Sequence, residues 1–60
     1  MPSPVRFAVV RKLLESKGYR LARVSGSHHI FVKPGAPHLN IPVHRNQVKH
    51  VYYRQAHEAP

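Results

Sequence analysis

The chain is 60 residues long and carries ten Lys and Arg against two acids, for a formal charge of +8 with its six histidines neutral. At this length only about 60% of the unfolded chain's surface can be buried, so residues 1–60 are expected to form one small domain. With no cysteine, a disulfide framework and a thiolate zinc site are excluded. The apolar run Phe7 to Val10 is far too short for a signal or membrane segment, which leads to the expectation of a soluble, cytoplasmic protein.

The first element is a helix. Ser3 is placed to cap it and Pro4 suits its first position. Val5, Ala8, Val9 and Leu13, flanked by Val10 and Leu14, form a stripe of near-helical period, with Arg6, Arg11, Lys12 and Glu15 opposite. Lys17 complements the C-terminal dipole, and Gly18 can take the left-handed conformation that ends a helix. The predicted span is Pro4 to Lys17.

The period then changes. Tyr19, Leu21 and Arg23 alternate with Arg20, Ala22 and Val24, which predicts a strand, and Ser25-Gly26-Ser27 breaks it as a tight turn. A second strand runs from His28 to about Lys33. "PGAPH" is a loop, since its prolines cannot donate to a ladder. Leu39, Ile41 and Val43 form a third, short strand, with Pro42 marking an edge. Asn46 is placed to cap a second helix from about Gln47 to Glu58, with Val48, Val51, Tyr52 and Gln55 on one face.

The order predicts an α+β fold of two layers: a three-stranded antiparallel meander in α-β-β-β-α order, with both helices on one face. Each helix has a single apolar stripe to bury, so the other sheet face stays open. Leu13, Leu14, Leu21, Phe31, Ile41 and Val51 are expected among the core residues.

A basic domain of this kind points to nucleic acid; an acidic protein partner or a merely solvated surface is the alternative. The histidines are His28, His29, His38, His44, His50 and His57. Their spacing matches no zinc signature, so no metal and no cofactor is expected. In "GSHHIF" the adjacent His28 and His29 point to opposite faces of a strand, so they cannot chelate together. One histidine on an open basic sheet has what RNA cleavage minimally needs: a base for the 2′-OH proton beside cations that steady the phosphate. There is no Asp, hence no Ser-His-Asp arrangement. Arg23 and Lys33, on adjacent strands, are candidate phosphate ligands. Ser27 either completes the turn or orients His28, and is a candidate RNA contact. His44 is a candidate second proton-transfer group. Tyr53 could stack on bases, whereas Tyr19 and Tyr52 are expected in the core.

"KGYRLARVSGSHHIFVKP" followed by "NIPVH" resembles the HicA family of small toxins. The shared elements are Gly18 ending the first helix, the aromatic Tyr19, a basic strand, Gly26-Ser27-His28 with Phe31, and then Ile41-Pro42-Val43-His44. The resemblance implies a double-stranded-RNA-binding-domain-like fold and the toxin half of a toxin–antitoxin system. It further implies a metal-independent mRNA interferase with His28, the first histidine after Gly-Ser, as the catalytic residue. An acidic HicB-type antitoxin would be the partner beside mRNA, in a homodimer or toxin–antitoxin hetero-oligomer. The chain departs from the family at "QVKHVYY", where a Lys-Pro or Pro-Gly element commonly opens the second helix. Two other readings stand beside the nuclease: a module that binds RNA without cutting it, and a basic subunit for an acidic protein. A pure binder has no need of a histidine at a turn-to-strand junction.

Overall fold

The computed structural model describes residues 3–60. The elements are β1 (Val5–Arg6), α1 (Phe7–Ser16), β2 (Arg20–Ser25), β3 (His28–Val32), β4 (Leu39–Pro42), β5 (Gln47–Val48) and α2 (His50–Glu58). Strands β2-β3-β4 form the expected antiparallel meander, and β1 pairs with β5 in a separate two-stranded ribbon.

That ribbon shortens both expected helices. Val5 and Arg6 pair with Val48 and Gln47, and the Phe7 N–H donates to the Asn46 carbonyl at 2.8 Å. Helix α1 therefore starts at Phe7, with Arg6 as its extended N-cap, instead of at Pro4 behind Ser3. Helix α2 starts at His50 because Gln47 and Val48 are held in the ladder. Lys49 is its N-cap, and Asn46 sits instead in a turn at φ +63. With Arg45 at φ +52 and two backbone bonds between His44 and Gln47, Arg45-Asn46 is a two-residue hairpin loop of the primed kind.

The first helix ends as expected. Gly18, at φ +95, donates to the Glu15 carbonyl, and Tyr19 donates to that of Leu14. This pair of bonds is a Schellman motif, and it seats Tyr19 against the same core as Leu14. Lys17 does not serve the end of its own helix. Its Nζ donates to the carbonyls of Ala56 at 2.9 Å, His57, and Ala59 at 2.8 Å. It caps the C-terminus of α2, where the last carbonyls otherwise lack partners, and so ties the two helices together.

The core lies between the helices and one sheet face. Val10, Leu14, Phe31, Ile41, Val48 and Ala56 are fully buried, and Tyr19 is nearly so. Leu14 is where the helical stripe places it, and Phe31 and Ile41 are where the strand alternation places them. Leu13 and Leu21 are half-buried at the margin. Val51 is not in the core but 55% exposed; with α2 starting at His50, the residue turned inward is Ala56. Val48 reaches the core from β5, not from the helix.

Candidate active site

Residues paired across an antiparallel ladder share a face. Leu21, Phe31 and Leu39 are cross-strand partners on the helix side, as are Val24, His29 and Ile41. The open face therefore carries Arg20 opposite Val32, Arg23 opposite Ile30, and Ser25 opposite His28 on β2 and β3. From β4 it carries Asn40 opposite Ile30 and Pro42 opposite His28.

The position of Arg23 corrects the simple alternation. Strict period two would put it on the face of Leu21, toward the helices. The register shifts between Leu21 and Arg23, so Ala22 is an extra residue without a partner on β3. Such a bulge sets two residues against one. It brings Arg23 to the same face as Arg20 and His28.

The two histidines part as their positions on the strand require. His29 is half-buried. Its ring lies 4.7 Å from that of Phe7, centroid to centroid, and its Nδ1 is 3.0 Å from the Ser27 carbonyl. A carbonyl only accepts, so Nδ1 of His29 carries the proton. His28 is exposed on the open face, with Nδ1 3.1 Å from Oδ1 of Asn40. Two half-buried side chains, Ile30 and Val32, share that face with it.

Ser27 is half-buried in the two-residue turn behind Gly26, whose φ is +56. Glycine first, at positive φ, is the pattern of a type II′ hairpin. The Ser27 carbonyl also accepts the Val43 N–H at 2.7 Å, which ties the turn to the end of β4. His44 is exposed one residue further on, bridged to Gln47. Lys33 follows Val32 and turns toward the helix layer. Its Nζ donates to the Pro60 carbonyl at 3.0 Å and lies 5.5 Å from the centre of the Tyr19 ring. Tyr53 is on α2, edge-on to both His50 and His57 and away from the open face.

The structure thus brings His28 and Arg23 to one face of the meander, sets Ser27 in the turn at that end and His44 near it, and takes Lys33 elsewhere. Sequence reasoning missed Arg20 and Asn40. Arg20 was accessible from its alternation with Leu21; Asn40 is twelve residues from His28 and gives no local sign. Among the described residues no three His, Cys, Asp or Glu side chains cluster as a metal site.

A three-stranded antiparallel sheet with two helices on one face and a basic, histidine-bearing face left uncovered defines a small α+β domain of double-stranded-RNA-binding-domain-like arrangement. The family model described as HicA toxin of bacterial toxin-antitoxin matches residues 8–57, and the chain belongs to that family. It is the toxin of a toxin–antitoxin pair, and an antitoxin is its partner. No curated protein and no solved structure matches the chain. Among the described residues no helix is long and apolar enough to cross a membrane.

Proposed function

We propose that this toxin is a metal-independent endoribonuclease that cleaves mRNA, with His28 as its proton-transfer residue. The observation that carries the reading is the contrast between neighbours. His29 is packed on Phe7, whereas His28 stands exposed on a basic face that no helix covers.

RNA laid on the open face would meet Arg20 and Arg23 with its phosphates, and the edge of the His28 ring with one ribose. His28 takes the 2′-OH proton; the 2′-oxygen attacks the adjacent phosphorus, and the bond to the 5′-oxygen breaks. The products are a 2′,3′-cyclic phosphate and a 5′-hydroxyl, whose proton comes from the imidazolium or from water. The guanidiniums stabilise the charge that builds on the phosphorane oxygens. The RNA supplies its own nucleophile, so the step needs no metal ion. Ser27 would act through its turn, and His44 lies at the same end as a second proton-transfer candidate. Lys33 is the weakest of the proposed RNA contacts, since its ammonium is engaged with the Pro60 carbonyl. An acidic HicB-type antitoxin would mask the same basic face in the cytoplasm.

The test is the chemistry of the ends. Purified toxin should yield 2′,3′-cyclic phosphate and 5′-hydroxyl termini, in excess chelator, and a single 2′-deoxy substitution at the cleaved nucleotide should stop the reaction. Products with 5′-phosphate ends would overturn the mechanism. Binding without cleavage would favour the module reading, for which Ile30 and Val32 offer an apolar surface to bases.

A further inference from the structure

We propose that Asn40 is the positioning residue for His28: its amide oxygen accepts the Nδ1 proton, fixing the tautomer and leaving the Nε2 lone pair free for the 2′-OH. The inference rests on the proposed role of His28 as base, and it concerns a residue that the family resemblance does not assign.

The argument starts from the ladder. His28 pairs with Ser25 on one side and Pro42 on the other, while Asn40 pairs with Ile30. His28 and Asn40 are therefore diagonal neighbours on one face, a spacing that side chains can bridge. Both backbones are held in strand pairing, so the 3.1 Å contact from Nδ1 to Oδ1 is built by the register. Neither strand neighbour of His28 offers a comparable acceptor: Pro42 has no polar side chain, and Ser25 has one short hydroxyl.

In a neutral imidazole, which nitrogen carries the proton is set by the hydrogen bond the other makes. An acceptor at Nδ1 makes Nε2 the basic nitrogen and holds the ring plane. In Ser-His-Asp sites a carboxylate does this, and it also stabilises the protonated ring. Here neither carboxylate lies on the open face, since Glu15 is on α1, paired with Arg11, and Glu58 ends α2. The charged side chains that β2 places on this face are Arg23, opposite Ile30, and Arg20, opposite Val32. A neutral amide orients the ring as a carboxylate would, without placing a negative charge beside it.

The experiment uses toxin labelled with 15N in its histidines. Long-range 1H–15N correlation reads the His28 tautomer at a pH where the ring is neutral, and cleavage of a fixed RNA is followed across pH. The wild type should show the Nδ1–H form. Asn40→Ala should shift His28 toward Nε2–H and lower kcat by about tenfold or more with little change in KM, because a wrong tautomer is a transition-state defect. Asn40→Asp keeps an acceptor, so it should restore the Nδ1–H form and most of kcat. It should also move the acidic limb of the rate profile up by roughly one pH unit, since a carboxylate favours the imidazolium. A merely structural role would move neither tautomer nor pH profile. The inference is overturned if wild-type His28 is the Nε2–H form, or if Asn40→Ala leaves both tautomer and kcat unchanged. Failure of the underlying reading looks different: His28→Ala would then cleave at the wild-type rate.

Discussion

His28 and His29 invite paired truncation, because adjacent positions should fail in opposite ways. His28→Ala removes an exposed ring that is hydrogen-bonded to the exposed Asn40 amide. It should cost little stability, yet lower cleavage by about 10² to 10⁴, the usual contribution of a general acid or base. His29→Ala removes a ring 4.7 Å from Phe7 and a bond to the Ser27 carbonyl. An aromatic pair contributes about 0.5–1.5 kcal/mol and a hydrogen bond about as much, so the loss should be roughly 1–3 kcal/mol. A 60-residue domain at 0.05–0.15 kcal/mol per residue holds only about 3–9 kcal/mol in all. The melting temperature should therefore drop by roughly 5–20 °C, while the folded fraction still cuts RNA. Thermal melts by circular dichroism give the first quantity, and single-turnover cleavage well below both transitions gives the second. If folded His28→Ala cuts at the wild-type rate, or folded His29→Ala is as inactive as His28→Ala, the division of labour is wrong.

The core makes its own contrast. Phe31→Ala should cost about 3–5 kcal/mol and leave the domain largely unfolded, whereas Val51→Ala should change stability by less than about 0.5 kcal/mol in denaturant titration. RNA affinity should fall steeply with salt as phosphate contacts release counterions. Arg20→Ala and Arg23→Ala should each reduce the slope of log affinity on log salt by about one, and Lys33→Ala should reduce it less; an affinity flat in salt would refute phosphate-based binding. Lys17→Met should cost about 1–3 kcal/mol through the lost carbonyl bonds, with faster amide exchange in the last turn of α2.

The layered meander was legible because its periods are long enough to count. The Schellman end at Gly18 was legible because one residue type dominates that conformation. The two-residue strands were not, since Val5-Arg6 and Gln47-Val48 carry no period and gain their structure only from each other, 43 and 41 positions apart in the sequence. Val51 was misplaced for the same reason: moving the start of α2 to His50 changes which side of the helix turns inward. At the candidate site, opposite faces for His28 and His29 followed from strand geometry alone. Arg23 reached the open face through a bulge that alternation cannot announce, and Asn40 through a register that only the folded ladder sets.

The bulge also bears on how β2 can change in length. Ala22 is exposed and has no partner on β3, while Arg20, Leu21, Arg23, Val24 and Ser25 all do. Deleting Ala22 would join Leu21 directly to Arg23 and restore an unbroken alternation in which every remaining side chain keeps its present partner and face. Adding a residue elsewhere in β2 has no such accommodation, because one half of the strand must then turn over and carry Leu21 or an arginine to the wrong layer. Length variation in this strand should therefore be one-sided: loss of one residue at position 22 is accommodated, and gain or loss anywhere else rearranges the basic face.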